Sequence, residues 1–203
     1  PSNDYQYILN DSGAETLIVS EELLEKFDAI IDNLPHLKHI LISGSHKGKY
    51  PLLSELCDEA PQQMEAANTK RDDIAFWLYS SGSTGRPKGV MHCHSSLVQT
   101  AVLYGKGVLR INNEDIVFSA AKLFFAYGLG NGMSFPFLVG ATSILMSERP
   151  TPEAVLNKIS KYRPTIFYGV PSLYAAILDT PSLKPKSDAL NLRICVSAGE
   201  ALP

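Results

Sequence analysis

Residues 74–90 read IAFWLYSSGSTGRPKGV. The opening IAFWLYSS is rich in apolar and aromatic side chains and predicts a strand. Across residues 80–88 two glycines, four Ser/Thr hydroxyls, an arginine, a proline and a lysine crowd into one bend. The segment SSLVQTAVLYGKGV, 95–108, predicts the next helix. The same alternation continues in both directions. TLIVS at 16–20 and HILIS at 39–43 read as strands around a helix at 21–32 that Ser20 would cap. Strands follow at 115–121, 141–146, 165–170 and 192–199. Between them lie a glycine-broken helix at 127–140, a helix at 151–162 with Thr151 as N-cap and Pro152 at its first position, and a helix at 171–179. Alternating strand and helix means an α/β fold with mostly parallel sheets covered by helices. The continuous apolar runs fit strands buried on both faces.

The bulk composition agrees. The 203 residues are 45% hydrophobic and 19% charged, with a net charge of −3. That balance points to small-molecule partners, since nucleic-acid readers usually carry a basic face. The three cysteines, Cys57, Cys93 and Cys195, have no paired spacing. They suit a reducing cytoplasm better than a disulfide framework. No apolar run reaches the length of a membrane span. The first residues, PSNDYQYILN, have no signal-peptide pattern, and both ends of the sequence read as cut.

The bend itself has a chemical reading. Glycines let the backbone approach an anion and aim several N–H groups at it. Ser80, Ser81, Ser83 and Thr84 add hydroxyl donors, and Lys88 adds a mobile point charge. Together they suit a polyphosphate. It is not the P-loop of common NTPases, because Gly82 and Gly85 are three apart and no Ser or Thr follows Lys88. By composition alone a solvated Ser/Gly loop explains the bend as well.

The order of residues separates the two readings. YSSGSTGRPKGV, 79–90, resembles the phosphate-binding signature of the adenylate-forming enzymes: acyl-CoA synthetases, luciferases and peptide-synthetase adenylation domains. Three flanking segments resemble the same family: DYQYILNDSGAETLIVS, AKLFFAYGLGNGMSFPFLVGAT and the terminal SAGEALP. FFAYGLGN, 124–131, is most similar to benzoate- and hydroxybenzoate-CoA ligases. The resemblance covers essentially the whole chain. It implies part of the large N-terminal domain, with 1–68 as a first βα portion and 69–203 as the ATP- and acyl-binding portion. The small C-terminal domain with the family's catalytic lysine is expected to lie beyond Pro203, so no catalytic residue is expected within these residues.

What the resemblance implies chemically is a two-step reaction. A carboxylate attacks the α-phosphate of ATP to give an acyl-adenylate, and coenzyme A then displaces AMP. Ser81, Gly82, Ser83, Thr84, Gly85 and Lys88 would hold the phosphates, with Ser80 supporting the loop. Gly199, Glu200 and Ala201 would lie along the adenine, by backbone more than side chain. Ala126 and Tyr127 would wall the carboxylate pocket, with Ala198 near its floor, and the glycines of YGLGNG would let the acid come close. Mg²⁺ would bridge phosphate oxygens without a dedicated protein cage. A homodimer stays open. Medium-chain acids, or a non-catalytic nucleotide-binding module, are the alternative readings. An amino-acid substrate is disfavoured because FFAYG lacks the aspartate usual there. Other conspicuous residues take plainer readings. His92 and His94 lack further ligands at any standard zinc spacing. Trp77, Tyr168 and Pro171 read as packing, while Lys122 and Arg86 read as solvated charges.

Overall fold

The structure is a computed structural model and describes residues 2–45, 48–81, 85–181 and 191–201. Its contacts divide the chain into two units, residues 1–70 with 75–92 and residues 71–74 with 93–203.

In the first unit, α1 (Ser2–Ser12) leads into β1 (Thr16–Ser20). β1 pairs in parallel with β2 (His39–Ser43), Thr16 opposite His39 and Ser20 opposite Ser43. The expected helix at 21–32 is broken into a 3₁₀ turn at Glu21–Leu23, α2 (Glu25–Asp28) and a second 3₁₀ turn at Ile31–Asn33. Ser20 makes no capping bond. Instead the Glu21 carboxylate accepts the Ser45 N–H at 3.2 Å. Gly44 permits that approach, since a Cβ there would lie 2.5 Å from the carboxylate oxygen. Val19, Phe27, Ile30, Leu34, Ile42 and Leu52 form the core, with Tyr5 of α1 against Phe27, ring centroids 4.8 Å apart. After α3 (Leu53–Glu59) come β3 (Ile74–Ser81) and β4 (Pro87–Cys93), which pair with each other.

The second unit is built on one parallel sheet. Its strands are β5 (Ile116–Ser119), β6 (Thr142–Ile144), β7 (Ile166–Gly169) and β8 (Ile194–Ser197), in the order β6-β5-β7-β8. Side-chain alternation splits the core between the two faces. Phe118, Ile144 and Phe167 enter one cluster with Val155, Ile159 and Ile177. Val117, Ile166 and Tyr168 enter the other with Ala101, Leu109 and Phe135. Val117, Phe118, Ile166 and Tyr168 are each 0% exposed, as expected of strands covered on both sides.

The helices follow the sequence pattern with two modifications. α4 (His94–Thr100) continues as a π-helical turn at Ala101–Lys106. The glycine-broken helix becomes α5 (Ala126–Leu129), a π-helical turn at Gly130–Ser134 and α6 (Phe135–Val139). Phe135 fills the space where Gly105 and Gly130 lack side chains, 3.0 and 2.9 Å from their would-be Cβ positions. Gly140, in the left-handed region at φ 74°, ends α6. α7 (Pro152–Tyr162) begins as read, with the Thr151 hydroxyl accepting the Ala154 N–H at 3.3 Å, a cap worth about 1 kcal/mol. α8 (Pro171–Leu178) follows β7 directly.

One polar network ties the sheet's N-terminal edge together. Asp115 is 3% exposed. It accepts from Arg193 Nε at 2.8 Å, the Thr165 hydroxyl at 2.6 Å and the Asn112 N–H at 3.0 Å. Burial alone would raise its pKa, but the bonds from Arg193, Thr165 and Asn112 outweigh it and hold the carboxyl at about 2. Among the described residues, no helix is long and apolar enough to cross a membrane.

Candidate active site

Parallel sheets bind ligands outside the carboxyl ends of their strands. The second unit has a cleft of about 750 Å³ at that edge. Ala120 and Ala121 reach it from the end of β5, Gly169 and Val170 from the end of β7, and Gly199 from beyond β8. Phe125, Ala126 and Tyr127 close one side, and Ser172, Leu173 and Ala176 of α8 another. The wall is mostly apolar, as small-molecule sites are.

Tyr127 is half-buried, and its position is fixed at both ends. Its ring meets Tyr168 edge-on, centroids 6.3 Å apart. Its hydroxyl lies 3.2 Å from the Gly169 carbonyl oxygen and 3.1 Å from that of Val196, sharing its one proton with that pair. Burial pushes its pKa up to about 12, so the phenol stays protonated and donating. It thus straps α5 to the ends of β7 and β8. Ala126 beside it is exposed into the cleft.

The glycines of YGLGNG lie against close neighbours. A Cβ on Gly128 would sit 2.0 Å from the Lys122 carbonyl oxygen, and one on Gly130 would meet Phe135. A Cβ on Gly132 would lie 3.3 Å from Leu123. Lys122, read as a solvated charge, instead donates to the carbonyls of Met146 and Glu148. It pins the segment that carries Arg149 and Pro150 to the cleft rim. No local sequence signal marks that role, because the partners are 24 and 26 residues away.

At the other side of the cleft Gly199 takes φ 89°, a left-handed conformation that suits glycine. Glu200 uses its side chain after all. Its carboxylate accepts the Ser172 N–H at 3.0 Å and the Ser172 hydroxyl at 2.9 Å, at the start of α8. Ala201 is exposed. Ala198 is half-buried and does not line the cleft. Pro203, the residue beyond which the family's catalytic lysine is expected, lies outside the described residues.

The phosphate-loop candidates lie in the first unit. Ser80 is exposed at the end of β3, and Ser81 closes that strand. Gly82, Ser83, Thr84 and the side chain of Ser81 lie outside the described residues. Gly85 has φ 88° with open space around its would-be Cβ. Lys88 is exposed on β4, with no ion-pair partner among the described residues. Three contacts brace the strands that carry this bend. Gly89 fits under Trp77 and Tyr79, each 2.9 Å from a would-be Cβ. The Tyr79 hydroxyl donates to Asp11 of α1 at 2.7 Å. The Arg86 guanidinium lies over the Tyr7 ring, 5.6 Å from its centroid, so its charge is engaged rather than simply solvated. Trp77, read as core, is 37% exposed on the two-stranded β3–β4 sheet. His92 stacks on Phe76 at 4.9 Å. Among the described residues no three His, Cys, Asp or Glu side chains gather as a metal site requires.

Known proteins share this architecture and sequence. The chain is 53% identical, over 99% of its length, to a benzoate–CoA ligase of Thauera aromatica, of which it spans 38%. It is 44% identical over 100% of its length to a 4-hydroxybenzoate–CoA/benzoate–CoA ligase of Rhodopseudomonas palustris, spanning 37% of that protein. Among solved structures, an anthranilate CoA ligase in complex with anthranoyl-AMP superposes with a TM-score of 0.93 at 41% identity, covering 100% of this chain and 39% of the other. A benzoate CoA ligase from Burkholderia xenovorans gives 0.87 at 48% identity, with coverage of 100% and 39%. The chain thus spans well under half the length of the relatives it matches. The family model for AMP-binding enzymes matches residues 1–203, and the chain belongs to that family.

Proposed function

We propose that the protein carrying this chain activates an aromatic carboxylate of the benzoate class with ATP and passes the acyl group to coenzyme A. The observation that carries the proposal is the apolar cleft at the strand ends, walled by Ala126 and Tyr127 on one side and bordered by Gly199 on the other. A flat ring fits against the fixed edge of Tyr127, and the carboxylate would point toward the strand ends. The high identity to benzoate–CoA ligases and the acyl-adenylate bound in the anthranilate ligase support the same chemistry.

In this proposal the backbone of Gly199, Glu200 and Ala201 lies along the adenine, and Ala198 serves only to lead Gly199 into the cleft. Ser81, Gly82, Ser83, Thr84, Gly85 and Lys88 hold the β- and γ-phosphates, with Ser80 at the loop's base. Their donors stabilise charge that builds up as pyrophosphate leaves. The catalytic lysine is supplied from beyond Pro203. Mg²⁺ would accompany ATP and supply further charge neutralisation beside Lys88. The three free cysteines suit the cytoplasm, and the thioester product would feed aromatic acid degradation.

The test is carboxylate-dependent ATP–pyrophosphate exchange by the full-length protein, with benzoate, hydroxybenzoates, hexanoate and phenylalanine as the acids. Exchange should require benzoate or a hydroxybenzoate. Exchange with hexanoate or phenylalanine alone would retain adenylation and refute the aromatic pocket. ATP binding without exchange for any acid would favour a non-catalytic nucleotide module.

A further inference from the structure

We infer that Ser172 and Tyr174 of α8 are positioning residues that hold the nucleotide-facing turn, residues 198–200, with Tyr127 of α5 sharing the Val196 carbonyl. The inference rests on the proposal that this turn borders the adenine. The carbonyl of Val196, just before the turn, accepts the Tyr174 hydroxyl at 3.1 Å. Four residues on, the Glu200 carboxylate takes both donors of Ser172. Ala198 and Gly199, after the last β8 residue Ser197, therefore form a short bridge between contacts to Ser172 and Tyr174, two residues apart on α8.

These two residues are themselves fixed. Pro171, Leu173 and Ile177 of α8 are buried. The Tyr174 ring meets Phe167 edge-on at 5.4 Å, and its hydroxyl is also 3.2 Å from the Phe167 carbonyl oxygen. Burial raises its pKa above the usual phenol value, which keeps the donor proton in place. The bridge has less support of its own. β8 is the edge strand of the described sheet, and Gly199 sits in the left-handed region. The arrangement has a second consequence for a polyanionic ligand. A free carboxylate at Glu200 would repel the phosphates of a nucleotide. Committed to the N-terminus of α8, it is partly neutralised by the N–H and dipole there, and the ligand meets backbone instead.

The experiment is calorimetric titration of the full-length protein with ATP and, separately, with benzoate, alongside exchange kinetics, for wild type, Ser172→Ala, Ser172→Thr and Tyr174→Phe. Loss of one hydrogen bond to a charged acceptor should weaken ATP binding roughly three- to tenfold in Ser172→Ala. The KM for ATP should rise by the same factor, by more than the KM for benzoate does, and Ser172→Thr should restore ATP binding. Tyr174→Phe should shift ATP affinity in the same direction. Unchanged ATP affinity in both Ser172→Ala and Tyr174→Phe would overturn the inference. So would an equal loss for both ligands together with a lowered Tm, which is the mark of general destabilisation. Wild-type protein that binds no ATP would instead overturn the proposed function, and the inference with it.

Discussion

Two residues carry consequences out of proportion to their size. Gly128 faces the backbone of Lys122 at a distance no flexible side chain can relieve. Gly128→Ala is therefore expected to cost about 2–3 kcal/mol through forced backbone displacement, read as a lower denaturation midpoint at unchanged m-value. Asp115 is buried beside a partly exposed Arg193, so Asp115→Asn, which loses the charge-assisted bonds, is expected to cost about 1–3 kcal/mol. The pH dependence has a definite sign. The folded pKa is depressed to about 2 from 3.8, so the stabilisation is present above pH 4 and is lost as pH falls from about 4 to 2. The shift corresponds to about 2 kcal/mol. Urea midpoints measured from pH 5 down to pH 2 should fall in the wild type, and this residue's share of the fall should vanish in Asp115→Asn. The role of Asp115 is not visible locally. Asp115 and Arg193 are 78 residues apart, and only the fold brings them together.

At the level of elements, what depends on neighbours in sequence was legible and what depends on distant contacts was not. The parallel strands were readable from unbroken apolar runs, and the start of α7 from Thr151 and Pro152, because a cap is made within three residues. The helix expected at 21–32 is broken, and Glu21 turns to the Ser45 N–H, a partner 24 residues on. The π-helical turns were equally hidden, since they accommodate Phe135 against two glycines. In the candidate site, Ala126 and Tyr127 were legible through the order of residues in FFAYGLGN. The clamp of Lys122 and the Ser172–Glu200 pair were not, as each joins separate elements. Tyr127 offers the element-scale test. Tyr127→Phe keeps the ring and removes the strap from α5 to β7 and β8. It should cost about 1 kcal/mol in stability and raise the KM for the aromatic acid more than it lowers kcat. An unchanged KM with a normal melting curve would show that the strap does not shape the cleft.

At the scale of the whole molecule, the chain contains two units and spans 38% of the benzoate–CoA ligase it matches at 53% identity. The proposed function takes its catalytic lysine from outside these 203 residues. The 203-residue chain alone should therefore show no acid-dependent pyrophosphate exchange above background, whereas the full-length protein should. Enzyme-like turnover by the short chain would mean that the charge at the α-phosphate is stabilised by groups within it.

The central claim is that the cleft between Tyr127 and Gly199 is the seat of an aromatic acyl-adenylate. A crystal structure of the full-length protein with a benzoyl-adenylate analogue, its phosphate replaced by a sulfamoyl group, tests this most directly. The expected result is a ring within about 4 Å of Tyr127 and an adenine lying along the backbone of Gly199–Ala201. An analogue bound elsewhere, with this cleft filled only by solvent, would contradict it.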